Sequence, residues 1–322
     1  MTAFGYTMMT EQSRPDQLVR DLVAAEAVGF EFSVCSDHYQ PWLAEQGHAG
    51  YAWSILGAAA HATERIGLMT YVTCPTIRYH PAIVAQKAAT LGILSDNRFR
   101  LGLGAGENLN EHVVGERWPA VGVRHEMLSE AVQIIGSLLD GDSSVNLRGE
   151  HFSVEQAKLW DLPSERVPIG IAVSGKQSCR LAGRHGDLMV AVEPRSDLGE
   201  MFDAAGGEGK PRVGQLALSY DADRETAVQR AHEQFRWFGL GWKVNADLPN
   251  PESFEAATAF VAPEQVGDAI SCGPDLEEHV EAVRPFIDAG FTEIALVQIG
   301  GEHQAPFLRW AQDELLPALR AL

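Results

Sequence analysis

The stretch SDHYQPW, residues 36–42, places an acid beside a histidine, and a tryptophan follows four positions after the histidine. It comes directly after GFEFSVC, an apolar run with the composition of a buried strand. His38 could act as a general base, because the ordinary pKa of histidine lies near neutrality. Asp37 could orient that imidazole or bind a ligand donor, and Trp42 offers a flat apolar wall. A simple turn where the strand meets solvent would use the same residues, so both interpretations stay open at this point.

A second stretch, GLGAGENLNEH at residues 102–112, also follows a strand pattern. It is not a dinucleotide-binding GxGxxG motif, because Glu107 occupies the position of the last glycine. Glycines such as Gly106 would let the backbone approach a ring system closely. Glu107 and Asn110 could then bond to the polar edge of a cofactor. The alternative is a glycine-rich turn capped by a carboxylate.

A third stretch, AVSGKQSCRLAG at residues 172–183, has a strand pattern that ends at Ser174 and Gly175 and a helix that begins near Lys176. Amide groups at a helix N-terminus, with a lysine beside them, can bind a phosphate group. An ordinary turn between a strand and a helix is the alternative interpretation.

Strand and helix patterns alternate along most of the chain and make about eight strand–helix units. Such alternation predicts an α/β fold, a (β/α)8 TIM barrel. Two stretches interrupt the alternation, residues 105–165 with an amphipathic helix at roughly 124–139, and residues 236–275, rich in Trp, Gly and Pro. We expect both to be long insertions after strands, at the C-terminal face where such barrels build their sites. No linker is evident, so residues 1–322 are predicted to form a single domain.

Composition limits the possible partners and the compartment. The chain of 322 residues carries 25 Lys and Arg against 44 Asp and Glu, a net charge of −19 that disfavours nucleic acid and anionic membranes. It lacks both a membrane-length apolar run and a secretory signal pattern. The four cysteines are widely spaced and HExxH is absent, so we expect reduced thiols, a cytoplasmic location and no metal site.

Four segments in this order and spacing, SDHYQPW, CPTIRYHPAIVAQ, GLGAGENLNE and RHGDL, resemble the luciferase-like superfamily. Within it, the chain is most similar to the F420-dependent glucose-6-phosphate dehydrogenase group, from FGYTMMTEQ to DELLPALRAL. The resemblance implies a (β/α)8 barrel, a homodimer, and coenzyme F420, a deazaflavin that accepts a hydride at C5 from a hydroxyl-bearing carbon of a small molecule. An FMN-dependent luciferase-like monooxygenase on the same barrel is the alternative.

The resemblance also implies roles for individual residues. His38 matches the histidine that takes the hydroxyl proton, Trp42 the tryptophan beside the reacting carbon, and Glu107 the glutamate near the deazaflavin N1. Glu11 matches a residue that would touch the substrate. Tyr71 and Val72 fall where the group has a non-prolyl cis peptide behind the ring. The positions implied to bind the cofactor are Asp37, Tyr71, Val72, Gly106, Asn110, Val173, Ser174 and Gly175.

Departures from the group concern the substrate. The sugar-phosphate enzymes hold the phosphate with three basic residues. Arg195 falls at the first of these positions, Lys243 lies near the second, and Asp268 replaces an arginine at the third. Tyr71 stands where the group has a small residue. The resemblance therefore predicts the cofactor and the hydride transfer. A sugar phosphate, another sugar or a neutral alcohol remains open as the substrate, and so does the reduction of an enone or an imine.

Overall fold

A computed structural model of the chain describes residues 2–141 and 144–322 and contains a closed barrel of parallel strands. The barrel strands appear in the order β11, β1, β2, β3, β4, β7, β8 and β9, and β9 pairs with both β8 and β11, which closes the ring. The strands of the chain are β1 (Ala3–Met8), β2 (Phe32–Cys35), β3 (Gly67–Thr70), β4 (Phe99–Leu103), β5 (Val145–Arg148), β6 (Ser153–Ala157), β7 (Ile169–Ala172), β8 (Leu188–Ala191), β9 (Arg212–Ser219), β10 (Ser271–Cys272) and β11 (Glu293–Gln298).

Helices follow the barrel strands, as the alternating pattern predicts. They are α1 (Pro15–Val28), α2 (Ala52–Ala62), α3 (Pro81–Leu94), α4 (Asn108–Glu111), α5 (Val121–Asp140), α6 (Lys176–His185), α7 (Ser196–Phe202), α8 (Arg224–Phe235), α9 (Trp242–Asn245), α10 (Pro251–Ala257), α11 (Pro263–Ala269), α12 (Leu276–Asp288), α13 (Gln304–Trp310) and α14 (Leu316–Leu319). No helix of the described ranges is both long and apolar enough to cross a membrane.

Local sequence explains where these elements start and stop, as α1 illustrates. Pro15 occupies its first turn, where the missing amide costs nothing, and Gly29 ends it in a left-handed conformation with φ 107°. Its buried side chains, Leu18, Leu22 and Ala25, recur at helical spacing and face the strands. The barrel strands are mostly buried on both faces, which is why they read as nearly continuous apolar runs.

Apolar side chains pack in three groups. The largest group fills the space between the strands and the surrounding helices. A second group, which includes Val34 of β2, Met69 of β3 and Val190 of β8, forms a separate cluster. The third group joins Trp42 to Trp237 and to Ala231 of α8, so it belongs to the segments that follow β2 and β9. This third cluster positions the candidate site described below.

The predicted (β/α)8 barrel is confirmed, and the two insertions prove more structured than loops. Residues 105–165 hold α4, α5 and the antiparallel hairpin of β5 and β6, and Asp142 and Ser143 within this insertion lie outside the described residues. Residues 236–275 contain α9, α10, α11 and β10. Helix α12, which carries Val280 and Val283 into the main core, was not predicted, because its many acidic residues obscure its apolar face. The assignment of residues 1–322 to one domain stays a prediction.

Candidate active site

The motifs predicted to carry chemistry lie just beyond the ends of neighbouring strands. SDHYQPW follows β2, Tyr71 follows β3, Glu107 follows β4, and Val173 follows β7. Because these strands are parallel neighbours, their carboxyl ends meet at one face of the barrel. The fold therefore brings segments from four separate parts of the sequence to a single mouth.

His38 lies between two carboxylates at this mouth. Its Nδ1 atom is 3.2 Å from Oε1 of Glu11, and its Nε2 atom is 3.2 Å from Oε2 of Glu107. The side chains of His38 and Glu11 are only 9% and 1% exposed, whereas Glu107 keeps 15% exposure. Water therefore screens these two contacts only weakly. Solvent reaches the three side chains mainly through His38 and Glu107.

The two carboxylates determine the charge of His38. Burial by itself lowers the pKa of the imidazole, but the negative charges of Glu11 and Glu107 outweigh that effect and raise the pKa to about 9. Without ligands, His38 is therefore protonated near neutral pH, with a proton on each ring nitrogen. An imidazolium is prepared to give a proton, and it can accept one only after it has lost one.

Asn110 holds Glu107 in place and links two of the predicted motifs. Its Nδ2 donates to Glu107 Oε2 at 2.9 Å, and its Oδ1 accepts from the amide of Tyr39 at 2.8 Å. Glu107 precedes the first residue of α4, and Asn110 lies three residues later on the same short helix, which brings the two side chains together. Asn110 thus fixes the orientation of both the glutamate and the segment after His38.

Asp37 is buried and accepts hydrogen bonds from three protein side chains. Its Oδ2 accepts from Trp53 Nε1 at 3.2 Å and from Thr73 Oγ1 at 2.7 Å, and its Oδ1 accepts from the Tyr79 hydroxyl at 3.1 Å. A guanidinium nitrogen of Arg78 lies 3.4 Å from Oδ1 as well. This carboxylate anchors the backbone before His38 to β3 and α2, and its contact with a cofactor stays a prediction.

Trp42 forms one wall of the site. Its ring stacks on Trp237 at a centroid distance of 4.1 Å, meets Phe254 edge-on at 5.1 Å, and lies 5.0 Å from the His38 ring. Trp42 is 5% exposed, so neighbouring side chains cover most of it. These contacts hold the tryptophan rigidly and shield the imidazole from water.

The peptide bond between Tyr71 and Val72 is cis, as the resemblance implies. The Tyr71 hydroxyl donates to the carbonyl of Ala191 at 3.0 Å, so this side chain reaches from the end of β3 to the end of β8. Val72 packs against the glycine-rich end of β4, where a Cβ at Gly104 would lie 2.6 Å from Val72 Cγ2. Close packing against Val72 therefore explains the glycine at position 104.

A family model described as luciferase-like monooxygenase matches residues 1–293. The chain belongs to this luciferase-like family. The relationship within the family is also the predicted one. The chain is 35% identical to an F420-dependent glucose-6-phosphate dehydrogenase of Nakamurella multipartita, over 99% of this chain and 97% of the relative. It is 34% identical to the enzyme of the same name from Microbacterium testaceum, over 98% and 97%.

Solved structures share the fold of this chain. An F420-dependent secondary alcohol dehydrogenase, solved with an F420-acetone adduct, superposes with a TM-score of 0.89 at 29% identity over 99% of both chains. The F420-dependent tetrahydromethanopterin reductase of Methanopyrus kandleri has a TM-score of 0.77 at 19% identity over 99% of both chains, and this likeness concerns the fold alone.

In this luciferase-like chain, the segment Val173–Ser174–Gly175 lies between β7 and α6, as predicted. Ser178 Oγ accepts from the amide of Ser174 at 3.1 Å and from that of Gly175 at 3.3 Å. These two amides are therefore already used by the protein. Any anion at this turn would rely on the following amides and on Lys176, whose side chain is exposed. The roles of Val173, Ser174 and Gly175 in cofactor binding stay predictions.

The residues predicted to bind substrate occupy different surroundings. Glu11 lies against His38. Arg195 is exposed, and Asp197 binds its guanidinium through two hydrogen bonds of 3.0 and 2.6 Å. Lys243 is exposed on α9, and Asp268 is exposed near the end of α11. In residues 2–141 and 144–322, no cluster of three or more His, Cys, Asp or Glu side chains is arranged to hold a metal ion.

Sequence reasoning missed the partners that hold the site together. Arg78 bonds to Glu111 at 3.2 Å and contacts Asp37, although the motif TIRYHP gave no reason to choose it over its neighbours. Trp237 and Phe254 were not singled out either. A usable signal did exist, because the Trp-rich segment WFGLGW was expected to lie over the catalytic face.

Proposed function

We propose that this chain is an F420-dependent oxidoreductase that transfers a hydride between a hydroxyl-bearing carbon of a small molecule and C5 of the deazaflavin. The observation that carries the proposal is His38 held between Glu11 and Glu107, at 3.2 Å from each, with the Trp42 ring beside it. The curated relatives at 35% and 34% identity are named as F420-dependent dehydrogenases, which supports the cofactor. The chain is accordingly a dehydrogenase of the F420-dependent group.

The residues at the barrel mouth fit this cofactor. Oε2 of Glu107 is engaged by His38 and Asn110, and its side chain is still partly exposed, so the carboxyl group can also meet a polar ring edge. Val72 and Tyr71 lie at the end of β3, where they can support the flat ring from behind. When bound, F420 supplies the atom that accepts or gives the hydride.

The protein residues manage the proton. In alcohol oxidation, the carbon loses a hydride to the cofactor and the hydroxyl loses a proton, which the neutral form of His38 takes. In the opposite direction, protonated His38 gives that proton to the carbonyl oxygen. Because the pKa of His38 is raised to about 9, the ligand-free enzyme at neutral pH is prepared for carbonyl reduction. Trp42 covers the reacting carbon and excludes water.

An FMN-dependent monooxygenase on the same barrel is the competing assignment, and binding separates the two. We expect titration of the purified protein with F420 to change its tryptophan fluorescence at micromolar concentrations, since Trp42 and Trp237 lie beside the site. FMN should produce no saturable change in the same range. Tight binding of FMN alone would overturn the proposal, whatever substrate the protein accepts.

The proposal extends to a cytoplasmic homodimer that does not bind nucleic acid. Cys35, Cys74, Cys179 and Cys272 are all free and buried, as suits a reducing compartment. Ile83 and Leu94 on α3 are 49% and 54% exposed, and such an apolar helix face suits burial against a second copy. The net charge of −19 disfavours a polyanion as partner.

A further inference from the structure

A cleft of about 370 Å³ opens between the ends of β8 and β9. Strand β8 pairs with β9 only as far as Gly214, and beyond that point the remainder of β9 is flanked by β10. The gap between the two strands forms the cleft. Its apolar walls come from Val192, Pro194, Leu216, Ala217, Phe238 and Phe286.

The cleft adjoins the site around His38. Phe238 meets Trp237 edge-on at 6.2 Å, and Trp237 stacks on Trp42 at 4.1 Å. Ala217 lines the cleft and also belongs to the apolar cluster that contains Trp42. The cleft and the His38 site are therefore neighbours, with the rings of Trp42 and Trp237 between them. Only the remote part of a substrate whose reacting carbon lies beside Trp42 could reach this cleft.

The charges around the cleft are unfavourable to an anion. Asp268 and Glu278 are the only ionisable residues among those that line it in the described ranges. Glu278 is paired with Arg224 at 2.6 Å, whereas the described ion pairs do not include Asp268. Arg195 follows Pro194 on the rim, but its guanidinium is bound by Asp197 at 2.6 Å and lies 3.6 Å from Glu193.

The carboxylates outnumber the guanidinium groups in this region. Counting those that line the cleft and their ion-pair partners, two acids, Asp268 and Glu278, stand against one base, Arg224, a balance of −1. Beside Pro194, Glu193 and Asp197 likewise stand against Arg195 alone. A phosphate dianion would face like charge and would find no free bidentate donor on Arg195. An apolar group, in contrast, would gain by displacing water from the apolar walls.

We propose that the remote part of the substrate is uncharged and apolar, so that the enzyme acts on a neutral alcohol or the corresponding carbonyl compound and excludes sugar phosphates. This inference rests on the proposed function, because it concerns the substrate of the same site. It assigns the cleft between β8 and β9 as the specificity pocket and Asp268 as the residue that rejects a phosphate.

Three matched substrates test the inference with purified enzyme and F420: 2-hexanol, 1,5-hexanediol and 5-hydroxyhexyl phosphate. They share the reacting carbon and differ only in the group at the far end. We expect kcat/KM to be highest for 2-hexanol, lower for the diol, and about 10²-fold lower for the phosphate because of like-charge repulsion. Equal or faster turnover of the phosphate, or of glucose 6-phosphate, would overturn the inference.

A charge reversal identifies the residue responsible. Asp268→Arg should raise the ratio of kcat/KM for the phosphate to that for 2-hexanol by about tenfold. The matched control is Glu264→Arg, an exposed acid one helical turn earlier on α11 that does not line the cleft; it should leave the ratio unchanged. An unchanged ratio in Asp268→Arg contradicts the assignment of that residue.

F420 binding, followed in parallel by tryptophan fluorescence, separates this inference from the proposed function. Absence of F420 binding would contradict the proposed function. Binding of F420 with turnover of none of the three substrates would contradict the inference and leave the cofactor assignment standing.

Discussion

The Nε2 atom of His38 lies 3.2 Å from a carboxylate oxygen of Glu107, the residue that immediately precedes α4. A second carboxylate, that of Glu11, lies 3.2 Å from the other ring nitrogen. An imidazole between two carboxylates holds its proton more tightly than a free imidazole does, because the two negative charges stabilise the protonated form. The chemical consequence is that the charge of His38, and not its presence alone, governs the rates at a given pH, because alcohol oxidation needs the neutral imidazole and ketone reduction the protonated one.

The pH dependence should differ between the two directions. The pKa of His38 is raised to about 9, so the imidazole is protonated below that pH and neutral above it. We expect kcat/KM for alcohol oxidation to rise with pH and level off above about 9, and that for ketone reduction to stay level below about 9 and fall above it. Steady-state kinetics with F420 and with its reduced form measures both profiles. A plateau in oxidation already below neutral pH would contradict the assignment.

Removal of the imidazole should abolish proton transfer while sparing cofactor binding. His38→Ala is expected to lower turnover by about 10²-fold or more, because a positioned acid or base contributes that much. His61→Ala, at an exposed position on α2, is the control and should retain full activity. Turnover and the F420 dissociation constant are measured for both variants. Unchanged turnover in His38→Ala would remove the histidine from the mechanism.

Glu11 should act through His38. The Glu11 charge is the leading influence that raises the pKa of His38 against its burial, and Glu11→Gln removes that charge while keeping the shape. We expect the oxidation profile to shift to lower pH, towards the ordinary pKa of histidine, so that oxidation at neutral pH becomes faster relative to its plateau. The exposed acid Glu225 on α8 offers a control through Glu225→Gln. If the profile stays in place, Glu11 does not set the charge of His38.

Much of this architecture can be predicted from the sequence, because barrel strands and helices have strong local signals. The eight barrel strands are nearly continuous apolar runs, and a helix such as α1 is marked by Pro15 and Gly29. The predicted cluster of His38, Trp42 and Glu107 followed from two motifs that each end a strand. What joins those motifs, the hydrogen bond from the Tyr39 amide to Asn110, is a tertiary contact of a kind that spacing does not encode.

Other features could not be derived for physical reasons. The raised pKa of His38 depends on distances to two carboxylates that are far apart in the sequence, at positions 11 and 107. The cleft beside β9 arises because β8 ends early and β10 pairs with the end of β9 instead. No pattern of residues in the sequence predicts this change of partner. Asp268 was noticed only as a departure from a family pattern, and its position on the cleft gave that departure a physical meaning.

The two insertions are joined at Asp247, and that junction should hold Glu107 in place. Asp247 accepts from Trp118 Nε1 at 2.9 Å and from Arg124 at 3.1 Å, and the amide of Asn108 donates to the neighbouring Ala246 carbonyl at 2.9 Å. Asp247→Ala should therefore increase amide hydrogen exchange over residues 105–118 and lower kcat/KM. The exposed Asp161 provides a control through Asp161→Ala. Unchanged exchange in Asp247→Ala would show that the insertions do not depend on this contact.

Gly102 should be required because β3 and β4 approach each other too closely for a side chain. A Cβ at this position would lie 2.0 Å from the Thr70 carbonyl oxygen, which is backbone and cannot rotate away. We expect Gly102→Ala to lower the free energy of unfolding by about 1–3 kcal/mol, as overpacking does, and to weaken F420 binding by displacing the Tyr71–Val72 segment. A Cβ added at Gly122 on α5 would meet nothing within 4 Å. Gly122→Ala should therefore change the free energy of unfolding by less than about 1 kcal/mol, in the stabilising direction. Chemical denaturation and F420 titration of the two variants measure this contrast, and equal stability in both would refute the steric argument.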